Sequence, residues 1–276
     1  TTEDANQDPQ ALPCSAMQQE IFTLIKQQGD QANCAFNESI SIHLTQGKVD
    51  LALLKQAIHL LFERHDALNM CYTKTGKSLR HETTTSANLS FKDLSTLNAK
   101  AAEAATTQLL KDDFCQPFDL NQSPLARVLL IQKYAQHIQI VLTAHLAICD
   151  GWSLDVLVKD LGELYSALVE DRKPILPAAL SFRRYLAERQ AQLYTASTLQ
   201  LQQYWQDKLT HYNGLYHFKP HTKPKAESAF SSGHSALMVD PITAKALRKL
   251  SSRHNCSLYV VLLAGLKLLL AAKSGR

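Results

Sequence analysis

Apolar positions at spacings of three and four mark the main helices of this chain. After Asp50 come Leu51, Leu54, Ile58, Leu61 and Phe62 on one face, which predicts a helix capped by Asp50. A second stripe, Leu154, Leu157, Val158, Leu161, Leu164, Tyr165 and Leu168, predicts a helix with Ser153 at its N-cap. Asp155 then falls in the first turn, where the helix dipole favours a carboxylate. Residues 36–44 and 68–73 read as strands flanking the first helix. Residues 125–131 and 138–144 are apolar runs separated by a polar segment, so they predict a β-hairpin.

The remaining segments are less regular. Residues 1–12 are polar and read as disordered. Pro174 and Pro177 bracket a linker, and polar helices are predicted over 181–193 and 197–209. A loop holding Pro220 and Pro224 leads to a predicted strand at 234–239, and Pro241 opens a helix at a position that tolerates proline. The helix expected at 257–272 is apolar nearly all round, so it calls for cover on several sides. Alternating strands and helices argue for α/β layers.

Composition narrows the function classes. The 276 residues are 45% hydrophobic and 20% charged, as in an ordinary globular protein with a sizeable core. The net charge of +4 is small and the basic residues are scattered, which gives no support to a nucleic-acid partner. The most apolar segment is too short to span a bilayer and carries Lys267, so no membrane partner is expected. The 6 cysteines form no CxxC pair or zinc-ligand cluster; free thiols in a reducing cytoplasm are the simplest reading. The first residue is Thr1, which points to a segment of a larger polypeptide or a processed chain.

The candidate chemistry lies where the second hairpin strand ends, at Ala144-His145-Leu146-Ala147-Ile148-Cys149-Asp150-Gly151-Trp152-Ser153. This stretch resembles the HHxxxDG signature of nonribosomal peptide synthetase condensation domains, with Leu146 in the place of the second histidine. Other blocks follow in the family's order. Ser15-Ala16-Met17-Gln18 resembles its first motif, Arg64-His65-Asp66-Ala67-Leu68 its second, and Phe182-Arg183-Arg184-Tyr185 its fourth, with Tyr204-Trp205 after it. Asn37-Glu38-Ser39 together with residues 149–153 is most similar to members that follow polyketide modules.

The resemblance implies an α/β fold of chloramphenicol-acetyltransferase-like lobes, each a two-layer sandwich on a mixed sheet. Residues 13–173 would form the N-terminal lobe, 174–180 the linker, and 181–276 an incomplete start of the second. A tunnel between lobes admits phosphopantetheine arms from upstream and downstream carrier proteins of neighbouring synthetase modules; the domain itself holds no cofactor or metal. The implied reaction joins an aminoacyl amine to an acyl thioester. Asn69 replaces the second motif's later arginine, and the final family motifs are absent.

Leu146 occupies the family's catalytic position, and a leucine neither accepts a proton nor donates a hydrogen bond. The chain is therefore expected to be catalytically impaired. His145 points to the opposite face of an extended strand, so it is expected to bond internally and shape the loop. Asp150 is expected to pair, buried, with an arginine, Arg64 being the candidate. Gly151 is expected to permit a special backbone conformation or close approach. Trp152 is expected in the core, or less favourably along the tunnel with Ser153 and Ser15. Cys149 has no base placed beside it and is expected to be inert. His65 is read as a surface or capping residue, and Asp112-Asp113 as a solvated turn. Two other functions stay open: a non-catalytic scaffold or gate between carriers, and a heterocyclisation-like variant, whose DxxxxDxxS pattern becomes HxxxxDxxS at residues 145–153.

Overall fold

The computed structural model describes residues 11–82, 87–134, 137–192, 195–210 and 236–274. Two compact units divide the chain, Thr1–Tyr204 and Trp205–Arg276. The first is built on a mixed sheet in the order β2 (Asn37–Leu44), β7 (His137–His145), β6 (Ala126–Tyr134), β5 (Leu89–Asp93). Only β5 and β6 run parallel. The predicted hairpin is β6–β7, with Leu129 opposite Val141. Helix α4 (Ala99–Phe114) brings Leu109 and Leu110 onto Leu129, Ile131 and Val141. The alternate residues Val128, Leu130 and Leu142 are buried too, so the hairpin is covered on both faces.

Helices α3 (Leu51–Arg64) and α5 (Gly151–Val169) pack against each other, and α5 touches β2. Asp50 caps α3 as the sequence predicts, accepting from the backbone N–H of Ala52 and Leu53 at 2.9 and 3.0 Å. Leu54, Ala57, Ile58, Leu61 and Phe62 form its buried face. The strand expected at 68–73 is shorter. Residues Asp66–Asn69 form a 3-10 turn, and only Met70–Tyr72 (β3) pairs. The buried Asn69 amide donates to the Phe62 carbonyl at 2.8 Å, which holds the chain in the turn.

A smaller antiparallel sheet has the order β1 (Leu12–Pro13), β4 (Ser78–His81), β3. Leu12, read as part of a disordered segment, is paired with Leu79. Helix α1 (Ala16–Gln28) bonds to this sheet, the buried Tyr72 hydroxyl donating to the Gln18 carbonyl at 2.8 Å. In the β3–β4 turn Gly76 has φ of 72°, and a Cβ there would lie 2.1 Å from the Phe22 ring. Both the backbone and the ring therefore require glycine.

Residues 174–180 carry no helix or strand, and α6 (Phe182–Gln192) and α7 (Ala196–Leu209) follow. In the second unit, α8 (Pro241–Arg253) is capped by Asp240 with proline in its first turn, and α9 (Leu258–Ser274) follows. The strand expected at 234–239 is absent over 236–239; residues 234 and 235 lie outside the described residues. The cover that its apolar girth calls for is missing on α9, with Tyr259 70% and Leu268 72% exposed. No single described helix is long and apolar enough to cross a membrane.

Candidate functional site: the loop at the end of β7

Strand β7 delivers His145 into the interior and Leu146 to a cleft. His145 is fully buried, with Phe36 and Phe118 rings each 6.1 Å away. Its backbone N–H donates to the Leu125 carbonyl, and that of Leu146 to the Phe36 carbonyl, both at 2.9 Å. The strand ends at His145 and residues 146–148 turn, the Ile148 N–H donating to the His145 carbonyl at 3.0 Å, so that His145 is buried while Leu146 lines the cleft. The His145 Nδ1 accepts the Ala147 N–H at 3.2 Å, which bends the loop after the strand. The proton then sits on Nε2, which is buried without a partner among the described residues.

Burial pushes the His145 imidazole down from 6.5 to about 4, so it is neutral in the folded chain at neutral pH. The unfolded chain protonates this group near its ordinary value. Stability from a neutral His145 is therefore complete above about pH 6.5 and is lost as pH falls toward 4, by about 1.4 kcal/mol per pH unit. His145→Asn keeps an acceptor and removes the titration. The loss of stability between pH 7 and 4.5, measured by urea unfolding, is expected to be about 2–3 kcal/mol smaller in that variant. Equal losses in the two proteins would mean that His145 is hydrated.

The first motif forms a capping box. The Ser15 hydroxyl accepts the Gln18 N–H at 3.2 Å, and the Gln18 Oε1 accepts the Ser15 N–H at 2.9 Å. The buried Gln18 amide then donates to the Ala147 carbonyl at 2.7 Å, tying the start of α1 to the loop. Gln18 belongs to the motif that the sequence displays, but nothing in the sequence discloses its tie to the loop. Between α1, the loop and α6 lies an open cleft of about 410 Å³. Ser15, Leu146, Asp150 and Ser153 line it, with Tyr185 and Arg189 from α6.

Several expected roles are corrected by the geometry. Asp150 is exposed and is the N-cap of α5; its Oδ1 accepts from the Ser153 N–H at 2.8 Å and the Ser153 hydroxyl at 2.6 Å. Those bonds hold its carboxyl below the usual range. Ser153 lies inside the helix rather than at the cap. Arg64 is not Asp150's partner: its Nε donates to Asp160 at 2.8 Å. His65 shares that carboxylate at 2.9 Å, so it is not a free surface residue. A second Arg64 nitrogen donates to the Pro177 carbonyl. Asp66 accepts from the Ser181 hydroxyl at 2.7 Å and the Phe182 N–H at 2.8 Å, at the start of α6. The second motif therefore fastens α3 to α5 and anchors the segment leading into α6.

Trp152 is 82% exposed, outside both the core and the cleft wall. It occupies the first turn of α5, beyond the reach of the sheet. A Cβ at Gly151 would meet nothing within 4 Å, and its φ is not left-handed, so no steric demand for glycine exists there. Burial pushes the Cys149 thiol up to about 12, which keeps it protonated and unreactive as expected. Asp113 is not in a solvated turn; it closes α4 against the Arg127 guanidinium at 3.0 Å. Among the described residues no His/Cys/Asp/Glu group has the arrangement of a metal site.

With Asp150 acting as an exposed cap, Asp150→Ala is expected to cost about 1 kcal/mol, well short of the loss from breaking a buried ion pair. Urea unfolding measures it, and a loss above about 3 kcal/mol would show that the carboxylate is buried against a cation.

A mixed sheet with α4 on one face, and a cleft beside the strand-end loop, make an α/β lobe of the kind the resemblance implies. The family model described as "Condensation domain" matches residues 9–276, and the chain belongs to that family. It is similar to one of the polypeptides of linear gramicidin synthase from Brevibacillus parabrevis, 29% identical over 260 residues, 93% of this chain and 5% of that protein. It is also similar to malpinin synthetase of Mortierella alpina, 24% identical over 266 residues, 96% of this chain and 3% of that protein. The chain thus spans a small part of these relatives. The first condensation domain of the calcium-dependent antibiotic synthetase, solved with a substrate analogue, has the same fold. It superimposes with a TM-score of 0.75 and 18% identity, covering 96% of this chain and 61% of that one.

Proposed function

We propose that this chain is the N-terminal lobe and the beginning of the second lobe of a condensation domain that forms amide bonds in a nonribosomal peptide synthetase. The amine of one carrier-bound aminoacyl group attacks the carbonyl carbon of another carrier's acyl thioester. A C–N bond forms, the C–S bond breaks, and the amine's proton leaves for the departing thiolate sulfur. Phosphopantetheine arms of upstream and downstream carriers bring both reactants, and the reaction takes place in the cytoplasm. The observation that carries the reading is the Gln18 bond to Ala147, which joins the first and third motifs of the family into one cleft floor. The largely apolar cleft and its Arg189 rim suit an uncharged arm with a phosphate at its root.

Thioesters are activated acyl donors, so holding the two arms in line supplies much of the acceleration. The residue missing from this cleft is a proton acceptor at position 146. That absence favours a second reading, a non-catalytic gate that binds carriers. Heterocyclisation gains no support, because His145 is buried away from the cleft. The test is a single turnover in a complete two-lobed protein with loaded acyl and aminoacyl carriers, read by mass spectrometry. Amide product, at least in the Leu146→His form, is expected. Carrier binding with no amide from either form would establish the gate instead.

A further inference from the structure

We propose that Asp66 is a positioning residue for the cleft: it sets the angle at which α6 presents Arg189 to the phosphate at the root of a carrier arm. The proposal rests on the cleft being where that arm lies. Asp66 opens the 3-10 turn and stands 115 residues before Ser181. Its Oδ2 accepts the Ser181 hydroxyl at 2.7 Å and the Arg183 N–H at 3.4 Å, and its Oδ1 accepts the Phe182 N–H at 2.8 Å. Phe182 is the first residue of α6. The first N–H groups of a helix have no partner within it, and the helix dipole makes that end positive. A carboxylate from a distant turn therefore fastens this end of α6 firmly.

Apolar packing alone does not fix the tilt of α6. Of its described residues, Leu186 is the one that is buried. A single buried side chain holds a helix at a point and leaves its angle free; the capped end supplies the second point. Phe182, Tyr185, Leu186 and Arg189 recur at spacings of three and four, so they share one face, and that face lines the cleft. Arg184 is engaged elsewhere, with Glu188 at 2.7 Å. Arg189 lies about 10 Å along the axis from the capped residue at 1.5 Å per residue. A tilt of about 10° at the cap would carry it by about 2 Å, enough to break a charge-assisted hydrogen bond.

Calorimetry on the 276-residue chain compares phosphopantetheine with pantetheine, the same arm without its phosphate. The phosphate is expected to raise affinity about tenfold. Asp66→Ala is expected to abolish that advantage, and so is Arg189→Met. The double variant is expected to lose no more than either single one, because Asp66 acts through Arg189. Asp66→Asn keeps an acceptor for the Phe182 N–H and is expected to retain most of the advantage. A purely structural role would change the affinities of both ligands alike and leave their ratio as it was. Ser181 is exposed, so Ser181→Ala is expected to fold even where Asp66→Ala does not, and to lower the advantage by freeing one side of the carboxylate. Equal affinity of the two ligands in the unaltered chain overturns the inference and leaves the cleft reading standing. So do additive losses, an Asp66→Asn variant that behaves like Asp66→Ala, and an advantage that survives Asp66→Ala, or Ser181→Ala if the former does not fold. Binding of neither ligand overturns the cleft reading and the inference together.

Discussion

Asp113→Ala is expected to lower the stability of the chain by about 3–5 kcal/mol, because it strands a buried guanidinium. The Arg127 and Asp113 side chains are 7% and 9% exposed and bond at 3.0 Å. The second Asp113 oxygen accepts the Thr143 hydroxyl at 2.5 Å, and Thr143 is fully buried on β7. Thr143 in turn bonds Ser39 of β2 at 2.8 Å. One carboxylate thus cross-links α4 to three strands. The guanidinium also lies 4.2 Å over the Phe118 ring, whose edge meets His145. Loss of Asp113 leaves a cation with only the backbone carbonyls of residues 113 and 116, beside the wall that buries the motif histidine. Asp113→Leu combined with Arg127→Met removes both charges and is expected to recover most of the loss. Urea midpoints decide the matter. A single-variant cost below about 1 kcal/mol would place the pair in the class of hydrated surface bridges.

Asp113 also shows what the sequence left unread. Two adjacent aspartates look solvated, and nothing local discloses an arginine 14 residues on that needs one of them. Helix α4 itself gives little sign in the sequence. Its Ala and Thr residues form a weak apolar stripe, and its cap is Asn98, which accepts from Ala101 at 2.9 Å. The short strands β4 and β5 carry too few residues for a periodicity. By contrast, α3, α5 and the β6–β7 hairpin were legible because they bury one face or both. At the site, the alternation along β7 places His145 inward, and the turn that begins at Leu146 brings that residue to the cleft. The partner of Arg64 was not readable. Asp160 lies two and a half turns into α5, and Asp150 of the motif is the more conspicuous acid. Only the packing of α3 against α5 decides between two acids on one helix.

Leu146→His is expected to raise single-turnover condensation in a complete two-lobed protein by about 10²–10⁴-fold, the range of a positioned acid–base group. Leu146 is half-buried and lines the cleft, so the new imidazole reaches reactants without disturbing the core. The backbone it needs is already fixed, by the Leu146 N–H to Phe36 at one end and the Gln18 bond to Ala147 at the other. His145 offers no substitute. It is fully buried, and burial holds it neutral down to about pH 4. Asp150 also lines the cleft, but its lowered carboxyl makes it a poor proton acceptor near neutral pH, though it can attract a substrate ammonium. On the proposed function the whole cleft holds the arms, so the gain should fall on the rate and leave carrier binding nearly unchanged. It should fade below about pH 6.5, where an imidazole of ordinary basicity becomes protonated. Equal rates for the two proteins, each with carriers bound, would show that position 146 takes no part in the proton transfer and that orientation alone drives the reaction.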